Sequence, residues 1–293
     1  MTSATPAPRT FGPPVIATIC VGVSRGWIEL RNTFQNGQDL FGYIFPTILF
    51  LTVMFFMRGA TVPGTTFSLG AQALPGILGM NVAFGGLTTL AQHLLVERED
   101  GTLLRAKATP NGMLGYLVGK VTVVSAMTVI SLLLLLIPGM FLVDGLAVSV
   151  PSWLMLALVI LVGLVATLPL GAIVGSLFEN PRNFGLVMLP LMGLIAASGI
   201  FYPIGGFPTW LQWVAQVFPV YWLGLGMRSA LLPDELAIVE IGQSWRHLET
   251  LGVLGAWAII GFVLAPIVLR RMARRESGAK VEERRQRALQ RIA

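Results

Sequence analysis

The chain has 293 residues, 55% of them hydrophobic and only 12% charged, roughly half the charged share of an ordinary soluble domain. That is too little charge to cover a water-facing globule, and the apolar runs are too long for core helices, so the composition points to a membrane protein and away from a soluble one. The net charge of +6 gathers after Leu269, where it suits anionic lipid headgroups rather than nucleic acid, and the single Cys20 excludes an intrachain disulfide or a multi-cysteine metal site.

Residues 1–14 are polar and proline-rich without the apolar region of a signal peptide, which predicts a short disordered lead. In 15–38, Ile19, Val23, Trp27, Leu30 and Phe34 recur every three or four residues on one helical face, while Ser24, Arg25, Glu29, Asn32 and Gln35 fall elsewhere. The segment is too polar to span; it predicts an amphipathic helix at the cytoplasmic interface, with Trp27 at headgroup depth.

Six stretches then have the roughly 20 apolar residues that a crossing helix needs, at about 40–57, 72–96, 116–143, 152–178, 184–204 and 250–269. Each contains a proline, which neighbouring helices tolerate in a membrane. Six crossings put both termini on one side. With the termini inside, seventeen basic residues face the cytoplasm and three (Arg58, Arg228 and Arg246) face out, so the positive-inside rule selects that orientation.

The link between the second and third stretches stands out. "LLVEREDGTLLRAKATP", residues 94–110, carries six charges, although none lies between Arg58 and Glu97 or between Lys120 and Asp144. Gly101 predicts a break, 102–108 a short helix with leucines on one side, and Thr109-Pro110 the cap and first residue of the next helix. Adjacent spans can be joined with far less; a rigidly held short helix of leucines and mixed charge suits docking on another protein. Beyond the fifth stretch, 205–249 holds four of the seven tryptophans. Trp210, Trp213, Val214 and Val217 follow an i, i+3, i+4, i+7 pattern, and Tyr221, Trp222, Leu225 and Leu232 predict a second short helix. Both predict helices dipping into the outer leaflet with aromatic rings at the interface.

Two segments resemble those of a known family. "VEREDGTLLRAKATPNGMLGYLVGK" is similar to the connector after the second span of ABC-2-type permeases, the membrane subunits of ABC exporters, and matches it at Glu97, Arg98, Glu99, Gly101, Thr102, Leu103, Thr109, Pro110, Gly119 and Lys120. "SGIFYPIGGFPTWLQWVAQVFPVYWLGLGMRSALL", residues 198–232, resembles the end of that family's fifth span and its outer re-entrant helices. The resemblance implies an all-α integral membrane protein of six transmembrane helices with an N-terminal amphipathic helix, a cytoplasmic coupling helix and short outer re-entrant helices. It places Glu97, Glu99, Gly101, Thr102, Leu103, Leu104 and Arg105 against a separate cytoplasmic ATPase subunit. Leu104 departs from the pattern, standing where many members carry Glu.

The chain itself predicts no catalysis. It lacks the G-x-x-x-x-G-K-[ST] phosphate loop and the H-E-x-x-H and G-x-S-x-G signatures, so no cofactor or metal is expected on it; ATP and magnesium belong to the partner. His93 reads as an interfacial polar residue at a helix end. An ion-gradient-driven secondary transporter is the alternative, although the six stretches hold no Asp, Glu, Lys or Arg at mid-depth where such proteins place their coupling groups. An enzyme acting on lipid would need clustered polar residues at one interface; Asp234, Glu235 and Glu240 offer an outer cluster that reads as a solvated loop.

The resemblance further implies two permease copies, identical or related, and a cavity at their seam lined by the second and fifth spans. Phe84, Thr88, Thr89 and Gln92 on one, and Leu194, Ser198 and Phe201 on the other, are the candidate lining residues. A mostly apolar wall fits an amphipathic or lipid-like cargo such as a hydrophobic drug or a lipid-linked glycan. The tail, 270–293, reads as a basic cytoplasmic helix on anionic lipid.

Overall fold

The computed structural model describes residues 15–60, 68–147, 149–178 and 184–275. The lead at 1–14 and the tail beyond 275 lie outside them. Among the described residues the chain is helical and has no strand.

Helix α1, Val15–Gln35, ends where Asn36 caps the next helix, its side-chain oxygen accepting from the Gln38 amide and its amide nitrogen donating to Asp39. Helix α2, Gly37–Met57, follows. Helix α3, Leu69–Phe84, runs through a π-helical turn at Gly85–Thr89 into α4, Leu90–Glu99. A six-residue helix, α5, Thr102–Lys107, leads to α6, Gly112–Leu142, and α7, Val150–Leu177. Then come α8, Phe184–Ala197, α9, Thr209–Val217, α10, Pro219–Leu231, and α11, His247–Arg275.

Among the described residues five helices are long and apolar enough to cross a membrane: α2, the continuous Leu69–Glu99, α6, α7 and α11. The stretch expected to cross at 184–204 differs. Its described helix has 14 residues, about 21 Å at 1.5 Å per residue, and residues 179–183 before it lie outside those described. The chain unwinds at Ser198, whose hydroxyl donates to the Ile195 carbonyl, and at Gly199, whose φ of 65° lies in the left-handed region. The run of apolar residues does not register that break.

Helix α1 packs on the bundle by its small residues and leaves most of its apolar stripe outward. Thr18, Gly22, Gly26 and Leu30 are buried, whereas Ile19, Val23, Trp27 and Phe34 are exposed. A Cβ built on Gly22 would lie 2.7 Å from the Gly115 carbonyl oxygen, and one on Gly26 would lie 2.7 Å from that of Gly119. Small residues four apart on both helices let the backbones of α1 and α6 touch, as at close helix crossings in membranes. The apolar stripe is left outward, as a helix lying on lipid requires.

The bundle interior is built the same way. A Cβ on Gly175 would come within 2.8 Å of Ala91, which sets α7 against α4, and Gly79 meets Gly224 where α10 enters. Every residue of α10 except Ser229 is buried. In α9, Trp210, Trp213, Val214 and Val217 all face outward, the stripe that their spacing predicts.

Candidate functional site

The connector is welded to the bundle on its inner side. Helix α4 ends at Asp100, and Gly101 turns the chain with a φ of 74°, a conformation costly for residues with a side chain. Leu103 and Ala106, three apart on α5, are buried, while Arg105 and Lys107 are exposed and Thr102 and Leu104 half-buried. Arg105 donates to the Thr102 hydroxyl at 3.1 Å. Thr109 does not cap the following helix as expected. Its hydroxyl donates back to the Ala106 carbonyl at 3.0 Å, closing α5, and α6 begins at Gly112 behind Asn111 at a φ of 54°. The residues predicted to meet a partner therefore divide. Arg105 is exposed at the surface with Glu99 and Leu104 half-exposed, whereas Leu103 and Gly101 face the bundle.

Glu97 turns inward as well. It pairs with Lys120 of α6, whose ammonium also pairs with Glu29 of α1. Lys120 is 1% exposed, Glu97 18% and Glu29 30%, so one buried cation ties three helices at the end of the bundle that carries α5. His93, one turn above Glu97, completes a group in which ligand atoms of Glu29, His93 and Glu97 lie within 4.8 Å of one another. That spacing could hold a metal ion, but the Lys120 ammonium already supplies the cation that the two carboxylates need. Arg98, 3% exposed, donates to the Phe178 carbonyl at 2.8 Å and fastens α4 to the end of α7. The sequence carried a signal for this node: a lone lysine next to a long apolar run needs a buried partner. It did not say that Glu29, on the polar side of α1, is one of them.

The candidate path residues differ in their surroundings. Phe84 and Thr89 line a cavity of about 280 Å³ between α2, α3 and α6. Thr88 is buried and donates to the Phe84 carbonyl at 2.7 Å, and Gln92 is exposed. Leu194, Ser198 and Phe201 do not line that cavity; Ser198 is fully buried, and the other two are half-buried.

At the opposite end lies a second buried ion pair that the sequence reading missed. Glu240, expected in a solvated loop, is 1% exposed and so is Arg228 of α10. The guanidinium donates to Glu240 at 2.7 Å and to the Gly199 and Ile200 carbonyls at 3.0 Å each. The freed carbonyls where α8 unwinds thus find their donor in Arg228, as buried backbone must. Around it, Trp222 donates to the Gln216 carbonyl at 2.7 Å, Arg246 stacks on Trp222 with its guanidinium 4.7 Å from the ring centre, and Trp245 donates to Asp234 at 3.1 Å. Of the supposed outer cluster, Asp234 and Glu240 are thus engaged in structural contacts.

Comparison with known proteins matches residues 27–267 to the family described as "ABC-2 family transporter protein". A Bacillus subtilis protein named "Putative transport permease YvfS" is 26% identical over 156 residues. That match covers 53% of this chain and 63% of the relative, so less than two thirds of the relative's length is spanned.

Proposed function

This chain belongs to the ABC-2 transporter family and is a multi-pass membrane transport permease; from that premise we propose that it is the membrane subunit of an ATP-driven exporter, with ATP hydrolysed by a separate cytoplasmic subunit. In this reading both termini and α5 face the cytoplasm, and the complex resides in the cell membrane. Two permease copies, identical or related, combine with two ATPases. Closure of the ATPases pushes α5 and turns an inward-open cavity outward, carrying an amphipathic or hydrophobic cargo across.

The observation that carries this reading is how α5 is held. A push on an exposed short helix does work only if the helix is stiffly joined to the spans. Here Leu103 and Ala106 anchor α5 itself, Arg98 ties its entry to α7, and Glu97 ties it through Lys120 to α6 and α1. In this reading Arg105, Glu99 and Leu104 meet the ATPase, while Glu97, Gly101 and Leu103 act from inside by fixing the angle of α5. The outward apolar stripes of α1 and α9 support seats at the inner and outer membrane surfaces.

The test is reconstitution of the permease with its ATPase in vesicles. Gly101→Pro cannot adopt a φ of 74°, because the ring holds φ near −65°; Arg105→Glu reverses an exposed charge without disturbing packing. Each is expected to lower cargo transport at least tenfold while the complex still hydrolyses ATP and the permease inserts normally. Wild-type transport by both variants would remove α5 from the coupling route. Transport that follows an ion gradient and ignores nucleotide would replace the exporter by a secondary transporter.

A further inference from the structure

The cavity between α2, α3 and α6 has a lining unlike the rest of the interior. Asn81 and Ser131 meet across it, the amide donating to the hydroxyl at 3.0 Å. Asn81 lies 12 residues along a helix that begins at Leu69, and Ser131 lies 11 residues before the end of α6 at Leu142. At 1.5 Å per residue both sit about 16–18 Å from the same end of the bundle, near the middle of an apolar layer about 30 Å thick. An amide at that depth is costly unless it has hydrogen-bonding work to do. Tyr43 and Thr47 of α2, Thr89 and Thr128 add further polar residues to the wall.

Most of the remaining lining is hydrocarbon, including Phe50, Ile77 and Leu135. No Asp, Glu, Lys, Arg or His lines the space. A charged guest would therefore enter a low-dielectric site with nothing to compensate it, whereas a neutral hydrogen-bonding group would find amide and hydroxyl partners. The cavity also has a doorway. Gly42 and Pro46, one turn apart on α2, both line it and are both exposed, and a Cβ built on Gly42 meets nothing within 4 Å. The α2 wall is bare there, so entry is sideways, from the lipid. At about 280 Å³ the space lies at the small end of ligand pockets, which run from roughly 300 Å³ upward. It suits one slender molecule.

We propose that this cavity is a binding site for a single uncharged amphiphile, its hydrogen-bonding group at Asn81 and Ser131 and its hydrocarbon against Phe50, Ile77 and Leu135. The site lies within one copy of the chain and is walled by α2, α3 and α6; it shares Phe84 and Thr89 with the candidate path along the second apolar stretch and includes none of the candidates on the fifth. It also touches the π-helical turn, since Gly85 and Thr89 belong to both. π-Helical turns inside α-helices are frequently found at functional sites. An occupant therefore rests on the one irregular turn of the helix that leads to α5.

The full-length protein in phosphatidylcholine nanodiscs tests this with a monoacylglycerol that carries a diazirine in its chain. On illumination, peptides from α2, α3 and α6 that line the cavity should take up the label, and unlabelled monoacylglycerol should compete it away. Asn81→Leu removes the polar partner, and Gly42→Trp closes the doorway at a position where a side chain meets no neighbour; each should reduce labelling there at least fivefold. Gly42→Trp should leave thermal unfolding unchanged, so a loss of signal in it is not a loss of fold. The matching diazirine fatty acid, charged at pH 8, should label the cavity at least fivefold less. Label spread evenly over lipid-facing helices, unchanged labelling in both variants, or equal labelling by the fatty acid would each overturn the proposal. Lipid extracted from the purified protein separates the two sources of such a molecule. A neutral lipid recovered in stoichiometric amount identifies a membrane lipid, and a site that fills only on adding the probe identifies a compound taken from outside; either supports the site. The readout needs neither nucleotide nor partner, so it stands or falls apart from the assignment to an ATP-driven exporter.

Discussion

Lys120→Met is expected to be among the most damaging single substitutions at the α5 end of the molecule. The side chain is 1% exposed and its ammonium is shared by Glu29 and Glu97. Without it, two carboxylates with ligand atoms within 4.8 Å face each other with no cation between them. Breaking a buried pair from one side costs about 3–5 kcal/mol, because the charge left behind is uncompensated. Glu29 is 30% exposed and water relieves part of that, so the loss should fall near the lower bound. The decisive control is the triple variant Lys120→Met, Glu29→Gln, Glu97→Gln. Removing all three charges together leaves nothing uncompensated and should recover most of the stability, since replacing a whole buried network is often close to neutral. Thermal unfolding in detergent measures both. A single variant as stable as wild type, or a triple variant no better than the single, would show that the three groups do not form one electrostatic unit. Transport separates fold from function: the triple variant should stay folded yet move cargo poorly, because α1 and the entry to α5 are then untied.

Arg228→Met should be equally severe at the opposite end. Arg228 and Glu240 are each 1% exposed, and the guanidinium also serves the Gly199 and Ile200 carbonyls. Its loss leaves a buried carboxylate and two buried carbonyls without a donor. The ion pair alone puts the cost at about 3–5 kcal/mol. Glu240→Gln should be milder, around 1.5–3 kcal/mol, the worth of hydrogen bonds to a charged group, because the two carbonyl contacts remain. Arg228→Lys should fall with the Met variant, since an ammonium cannot reproduce the planar fork that reaches carboxylate and carbonyls together. Unfolding of the three variants, read against wild type, checks the order. A Met variant no less stable than wild type would mean that the pair does not hold the end of α8.

Length and apolarity were enough to find the long helices, because a run of about 20 apolar residues has few other uses. The outward tryptophans of α9 were legible from their spacing alone. What failed was anything decided by a neighbour. The apolar stripe of α1 points outward, as a helix on lipid was expected to, but Gly22 and Gly26, invisible to a search for hydrophobic faces, were not foreseen as its contact with α6. Glu240 looked solvated because its partner Arg228 lies twelve residues away, on a helix that the sequence placed at the membrane surface and the fold buries. Phe84, Thr88 and Gln92, each four residues from the next, share one face of a regular helix. The π-helical turn at Gly85–Thr89 lies between the first and last of them, and in the structure one lines a cavity, one is buried and one is exposed. The α5 connector was recognisable by its charges, but which of them point outward depends on Lys120, outside the segment.

The crossing of α1 over α6 has a consequence for how freely this protein can vary. Backbone rests on backbone at Gly22 and Gly26, so even a methyl group there would wedge the two helices apart, and no repacking of side chains could absorb it. Around the helix from them, Ile19, Val23 and Trp27 are exposed and should be exchangeable among greasy residues at little cost. The most rigidly constrained positions of the amphipathic helix are thus the ones with no side chain at all.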